Sequence, residues 1–263
     1  MRTILKGTSV YCETYGDAWV WLAFAPVWRF VLAFVIGKRT QASANWLLAR
    51  VVQVTDDHMP FFTSDQLPEY KNSLLHTYGQ WQRPTRRGCR GPHPKPQRQP
   101  PPELLYAQVV KKRDQGRIVA GGTRIVFGEP AAIAARLVAS PVSQTLNTRF
   151  VERDNLTLRQ HNRRLTRRTT GFSKDITWFE KQLWLSLAYY HWVLPHESLQ
   201  EPLSVPQPTR GTGSLRKWFP VTPAMATGIT DHVWTMAELL SYRVAVKFLD
   251  QLTDSEHLFP KLD

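Results

Sequence analysis

The residues with the clearest chemical potential lie in one run, Arg149 to Arg168, which reads RFVERDNLTLRQHNRRLTRR. It is the densest stretch of cationic side chains in the chain, and it carries a single glutamate, Glu152. Wound as a helix at about 100° per residue, it puts Glu152, Asn155, Arg159 and Arg163 on one face. Val151, Leu158 and Leu165 recur every seven residues on a second face, while Arg153, Arg164 and Arg167 point elsewhere. A carboxylate among arginines suits the holding of a divalent cation beside a phosphate backbone. The plainer alternative is a solvated basic helix whose glutamate balances charge. A second acid, Asp65, closes the apolar run Met59 to Ser64. The end of a buried strand is where open α/β sheets place their ligand sites, and the alternative for Asp65 is a turn or helix-cap aspartate. Two such acids meeting at one sheet edge bind Mg²⁺, which takes oxygen ligands and keeps waters for a phosphate substrate. A two-ion site stabilises both oxygens of an in-line phosphodiester displacement.

The elements that must position these acids are punctuated by proline and glycine. Trp19 to Phe24 and Phe30 to Ile36 read as the strands of a hairpin, with Ala25-Pro26 opening its turn. Both are apolar at nearly every position, as expected of strands covered on two faces. Pro26 and Arg29 in the middle of Ala18 to Gly37 argue against a lipid-facing helix there. Gln41 to Val54 carries the three-and-four spacing of a helix, and a second helix is expected from Pro68 to about His76. Residues 82–102 hold seven prolines, two glycines and several cations, which predicts a basic, largely extended loop. Leu104 to Phe127 reads as a hairpin with Lys111, Lys112, Arg113 and Arg117 near its tip. Glu129 to Ala139 reads as a short helix. Beyond the organising helix, Trp178, Phe179, Leu183, Leu187 and Tyr190 mark a buried helix over Ser173 to Trp192. A Pro- and Gly-rich linker follows Glu201, and a last helix is expected from Asp231 to about Leu240.

Composition narrows the partners. The chain has 263 residues, 42% of them hydrophobic, and a formal net charge of +13, so a packed core meets a surface suited to polyanions. Its two cysteines, Cys12 and Cys89, lie far apart, which argues against a disulfide framework or a cysteine-based zinc site.

Two blocks carry a family resemblance: FTSDQLPEYKNSLLHTYG (Phe62 to Gly79) and RFVERDNLTLRQHNRRLTRRTTGFSK (Arg149 to Lys174). They resemble the central blocks of DDE transposases of bacterial insertion sequences, with the insertion-sequence-one family the best match. RFVLAFVIGKRT (Arg29 to Thr40) is similar to the preceding strand pair, and YYHWVLPHESL (Tyr189 to Leu199) to a downstream closing segment. The resemblance implies an α/β, RNase-H-like mixed sheet flanked by helices, with a basic Pro-rich insertion and hairpin at residues 82–128. On this reading residues 1–200 form the catalytic domain, and 201–263 a linker and C-terminal extension. It further implies Mg²⁺- or Mn²⁺-dependent cleavage of double-stranded DNA at element ends, followed by strand transfer. Asp65 and Glu152 match the family's second and third metal-holding catalytic acids. Asn155, Arg159, Arg163, Arg164, Arg167 and Arg168 would handle DNA. A homo-oligomer on DNA and a bacterial cytoplasmic location, with no membrane partner, come with the resemblance. The family's first acid, in a block like D-E-x-W, has no match between Met1 and Gly16, where Glu13 and Asp17 are the nearby acids. The sequence therefore reads as a transposase truncated at its start. The competing expectation is a catalytically inactive DNA-binding or regulatory derivative.

Overall fold

The structure is a computed structural model that describes residues 2–4, 17–55, 58–84, 94–115, 117–166, 173, 175–209, 211 and 213–243. The chain divides into two compact units, Met1–Leu187 and Ala188–Asp263. The first is mixed α/β: strands β1 (Arg2–Ile4), β2 (Asp17–Ala25) and β3 (Phe30–Gly37) form one antiparallel sheet. Helix α1 (Gln41–Gln53), strand β4 (Phe62–Ser64) and helix α2 (Pro68–Tyr78) follow. Short strands β5 (Gln80–Gln82) and β6 (Gln97–Gln99) pair across the Pro-rich stretch, of which residues 85–93 lie outside the described residues. Then come the long strands β7 (Tyr106–Asp114) and β8 (Arg117–Phe127) and helices α3 (Pro130–Val138), α4 (Arg149–His161) and α5 (Ile176–Ala188). β4 pairs parallel with β7 and β7 antiparallel with β8, which makes this second sheet mixed.

The β2–β3 hairpin explains its own composition. Trp21, Ala33 and Val35 pack with Ala44, Leu47, Leu48 and Val51 of α1 on one face. Val20, Val31 and Phe34 pack with Leu158, Phe179, Leu183 and Leu187 on the other. Alternation alone would put Val31 with Ala33. The register slips between Ala23 and Phe24, opposite Ala33 and Val31, and leaves Leu32 unopposed. That bulge returns Val31 to the Phe34 face. Arg29 closes the turn at φ 54° and lays its guanidinium 4.5 Å from the centre of the Phe150 ring, a cation–π contact that offsets the left-handed backbone. Gly37 leaves room where α1 approaches, since a Cβ there would lie 2.7 Å from Ser43 Oγ and push that hydroxyl aside.

Two helices differ from expectation. The organising helix stops at His161 instead of running on to Arg168. Asn162 turns extended (φ −126°, ψ 102°), accepts the Arg164 N–H at its Oδ1 and donates to Ser186 Oγ at 3.3 Å. These bonds to a residue 1% exposed hold Arg163–Leu165 in a 3-10 turn, so Arg163 does not extend the Glu152 face. In α5, Phe179 and Leu183 are fully buried, but Trp178 is 62% exposed. The helix has one apolar core face, and Lys181 stacks on Trp178 at 4.7 Å.

In the second unit, residues expected to be a linker form strand β9 (Glu201–Pro208), antiparallel to β10 (Leu215–Phe219). Short helices α6 (Pro223–Ala226) and α7 (Met236–Ser241) follow, the latter opened by a Thr235/Glu238 capping box. The Trp234 N–H donates to Trp192 O at 3.0 Å, and Trp234 packs against the Trp192 and Tyr242 rings. No helix among the described residues is long and apolar enough to cross a membrane.

Candidate functional site

The acid-bearing blocks converge on one cavity of about 970 Å³ in the first unit, lined by β2, β4, the inner faces of α1 and α2, and the front of α4. Asp65, Glu152 and Asn155 all line it.

Asp65 follows β4 directly and is exposed. Its Oδ1 accepts the Leu67 N–H at 3.4 Å ahead of Pro68, the first residue of α2. The turn geometry that a structural aspartate would give is therefore present, and the carboxylate still borders the cavity. Parallel pairing of Phe62 with Tyr106 and of Ser64 with Gln108 builds a polar chain behind it. Arg124 donates to Gln108 Oε1, Gln108 Nε2 donates to Tyr106 Oη at 2.8 Å, and Tyr106 Oη meets Ser64 Oγ at 2.7 Å. Ser64 Oγ in turn donates to Asp65 O at 2.7 Å. Burial, reinforced by the nearby Asp65 charge, raises the Tyr70 phenol above its ordinary range. The Tyr106 phenol is raised for the same first reason. Both stay protonated and able to donate.

Glu152 occupies the first turn of α4, where its charge suits the positive end of the helix. Its Oε1 accepts Lys111 Nζ at 2.5 Å and Thr148 Oγ1 at 2.9 Å. The Lys111 bond is the main cause that holds this carboxyl below its usual range, against a smaller opposing effect of burial. Lys111 belongs to β7, so Glu152 ties the hairpin to α4.

Asn155 Oδ1 is buried and has no hydrogen-bond partner among the described residues. Arg159, a turn further on, is half-buried. Arg163 is exposed in the 3-10 turn, whereas Arg164 directs Nη1 at Ser173 Oγ, 2.7 Å away. Arg167, Arg168 and Glu13 lie outside the described residues, as do Cys12 and Cys89; Asp17 opens β2.

Sequence reasoning missed Lys111 as a partner of Glu152, and with it Thr148 and the Gln108–Tyr106 chain. Tyr106 and Gln108 stand two residues apart on one strand face, and a glutamine inside the apolar run Leu104 to Val110 was the readable signal. Asp154 was passed over too; it is 3% exposed, the most buried acid on α4.

Asp65 and Glu152 are hard oxygen donors of the type Mg²⁺ prefers, and Lys111 places a positive charge where a cation would meet Glu152. No group of three or more His, Cys, Asp or Glu side chains able to hold a metal is assembled among the described residues. Asp65 and Glu152 alone therefore fall short of such a group among the described residues. No family model, curated protein or solved structure matches the chain.

Proposed function

We propose that the chain is a DDE-type transposase of an insertion sequence, with an RNase-H-like fold, acting on double-stranded DNA. The observation that carries the reading is that Asp65, at the end of β4, and Glu152, in the first turn of α4, line one cavity although they are far apart in sequence. Asp65 and Glu152 would hold Mg²⁺ or Mn²⁺, which when bound activates the attacking oxygen and stabilises the leaving oxygen of a phosphodiester. Asn155 presents a buried acceptor with no partner among the described residues, one turn along α4 from Glu152, suited to orienting a donor group of the substrate. The exposed Arg163, with Arg159, Arg164, Arg167 and Arg168, supplies the cationic surface that neutralises phosphates. Strand transfer by a freed 3′-hydroxyl and assembly into a homo-oligomer on DNA belong to the same reading.

A second reading rests on the Lys111–Glu152 pair. With Glu152 neutralised by a lysine and two acids lining the cavity among the described residues, the fold also suits a DNA-binding derivative that does not cleave. The test is Mg²⁺- or Mn²⁺-dependent nicking of supercoiled plasmid by the chain, beside a Glu152→Gln control. Nicking lost in the control supports the transposase. DNA binding without nicking in either protein supports the derivative, and absence of both rejects the two readings together.

A further inference from the structure

The two faces of the short β5–β6 ribbon differ in chemistry. Gln80 stands opposite Gln99, Trp81 opposite Arg98 and Gln82 opposite Gln97, with no slip in the register. Successive side chains of a strand alternate between faces, so the four glutamines share one face, and Trp81 and Arg98 share the other. The Arg98 guanidinium accordingly lies 5.2 Å from the centre of the Trp81 ring. That face is tied down. Arg98 Nη1 donates to Leu75 O at 3.4 Å, near the end of α2. Gly79 joins α2 to β5 so closely that a Cβ on it would lie 2.2 Å from Leu75 O.

The glutamine face is left to solvent, with all four residues exposed. Each side-chain amide presents a carbonyl acceptor and an NH₂ donor side by side. Adenine shows the complementary pair on its major-groove edge, N7 as acceptor and N6–H₂ as donor, and one glutamine can meet both. A two-stranded ribbon also fits the major groove, which is about 12 Å wide. Gln80 and Gln82 stand two residues apart, about 6.8 Å along the strand, which matches two base steps of about 3.4 Å. The charge suits such a partner. Gln80 to Gln99 contains six Lys and Arg and no Asp or Glu, and two of those cations, Arg83 and Lys95, are exposed beside the ribbon.

We propose that the β5–β6 ribbon is a sequence-reading element, whose glutamine face enters the major groove of double-stranded DNA and selects A·T pairs through adenine N7 and N6. The neighbouring cations meet the phosphates on either side of the groove. The inference rests on the DNA reading above and adds to it a means of choosing a sequence, which phosphate contacts alone do not supply. Trp81 and Arg98 are positioning residues: they hold the ribbon to α2 by one face and so keep the opposite face outward. Neutral amides release no counterions, so the glutamines act on base preference and leave the salt slope alone.

The experiment selects bound duplexes from a random-sequence pool with the full chain, and again with a variant carrying Gln80→Ala, Gln82→Ala, Gln97→Ala and Gln99→Ala. The unaltered chain should enrich a motif with A·T pairs at fixed positions. Replacing the adenines of that motif by 7-deazaadenine removes the N7 acceptor and leaves the phosphates in place. It should weaken binding by the unaltered chain about tenfold or more, a result that does not depend on the variant folding. The variant should lose the enrichment while binding unselected duplex with the same affinity and salt slope. Binding by the unaltered chain without enrichment, or a motif that tolerates 7-deazaadenine, would overturn the proposal. So would the same motif enriched by both proteins; a lowered sedimentation coefficient of the variant in that case would assign the face to contacts between copies. Each of these results leaves the DNA reading standing, whereas no binding to any duplex rejects that reading and the ribbon's role with it.

Discussion

Lys111 Nζ lies 2.5 Å from Glu152 Oε1, so a side chain from β7 neutralises the acid in the first turn of α4. The pair is partly solvated, with Glu152 the more exposed partner. Its worth to stability is therefore at most about 1 kcal/mol, and its larger consequence is competition. A cation that binds Glu152 at Oε1 competes with the lysine.

Lys111→Met should accordingly tighten Mn²⁺ binding about tenfold, and Glu152→Gln should abolish it. Isothermal titration calorimetry on the folded variants measures both. Unchanged affinity in Lys111→Met would show that the cation does not use Glu152.

The same pair sets a pH dependence. The folded Glu152 carboxyl is held below its ordinary range, chiefly by Lys111, so its contribution to stability is present above the unfolded pKa. It is lost as pH falls through the lowered folded value. The midpoint difference between wild type and Glu152→Gln should be small at pH 7, shrink as pH falls below the ordinary carboxylate range, and vanish once pH is below the lowered folded value.

His191 carries a larger acid sensitivity in the second unit. It is buried, and burial lowers its imidazole pKa to about 3 from the ordinary 6.5. Between those values the unfolded chain binds the proton and the folded chain does not, so stability falls as pH drops, by about 1.4 kcal/mol per unit. His191→Gln should flatten this slope between pH 6 and pH 4 in acid-titrated urea unfolding. An unchanged slope would mean that His191 protonates without unfolding.

On the proposed reading Arg163 and Arg164 both meet phosphates, but Arg164 is also tied to Ser173. Arg163→Ala should leave the thermal midpoint unchanged and reduce the salt slope of DNA binding by about 0.9, one phosphate contact. Arg164→Ala removes the bond to Ser173 and should cost about 1.5–3 kcal/mol of stability, as for hydrogen bonds to charged groups. Equal effects of the two changes on stability would contradict this division.

Gln108→Leu tests the polar chain behind Asp65. It removes the donor to Tyr106 and the acceptor for Arg124 at a site 1% exposed. The expected loss is about 1–3 kcal/mol, the cost of buried polar groups left without partners, read by chemical denaturation.

The legible parts of the fold share a physical cause. β2 and β3 are apolar runs ended by Pro26 and Gly37, and α2 and α3 begin at prolines, so local chemistry and tertiary packing agree on where each starts or stops. The end of α4 was illegible for the opposite reason. Nothing between His161 and Arg168 breaks a helix by its own propensity; the break depends on Asn162 finding Ser186 on another helix. Likewise Trp178 has the hydrophobicity of a core residue, and only the placement of α5 against β3 leaves it outside.

Of the candidate site, the sequence by itself determined the acids and their local settings, Asp65 after a strand and Glu152 at the front of a basic helix. Both follow from residue type and short-range periodicity. The tertiary structure alone decided that the two acids share a cavity and that Lys111 neutralises one of them. These are pairings between residues remote along the chain. Register and strand order decide them, and neither is written in any one segment.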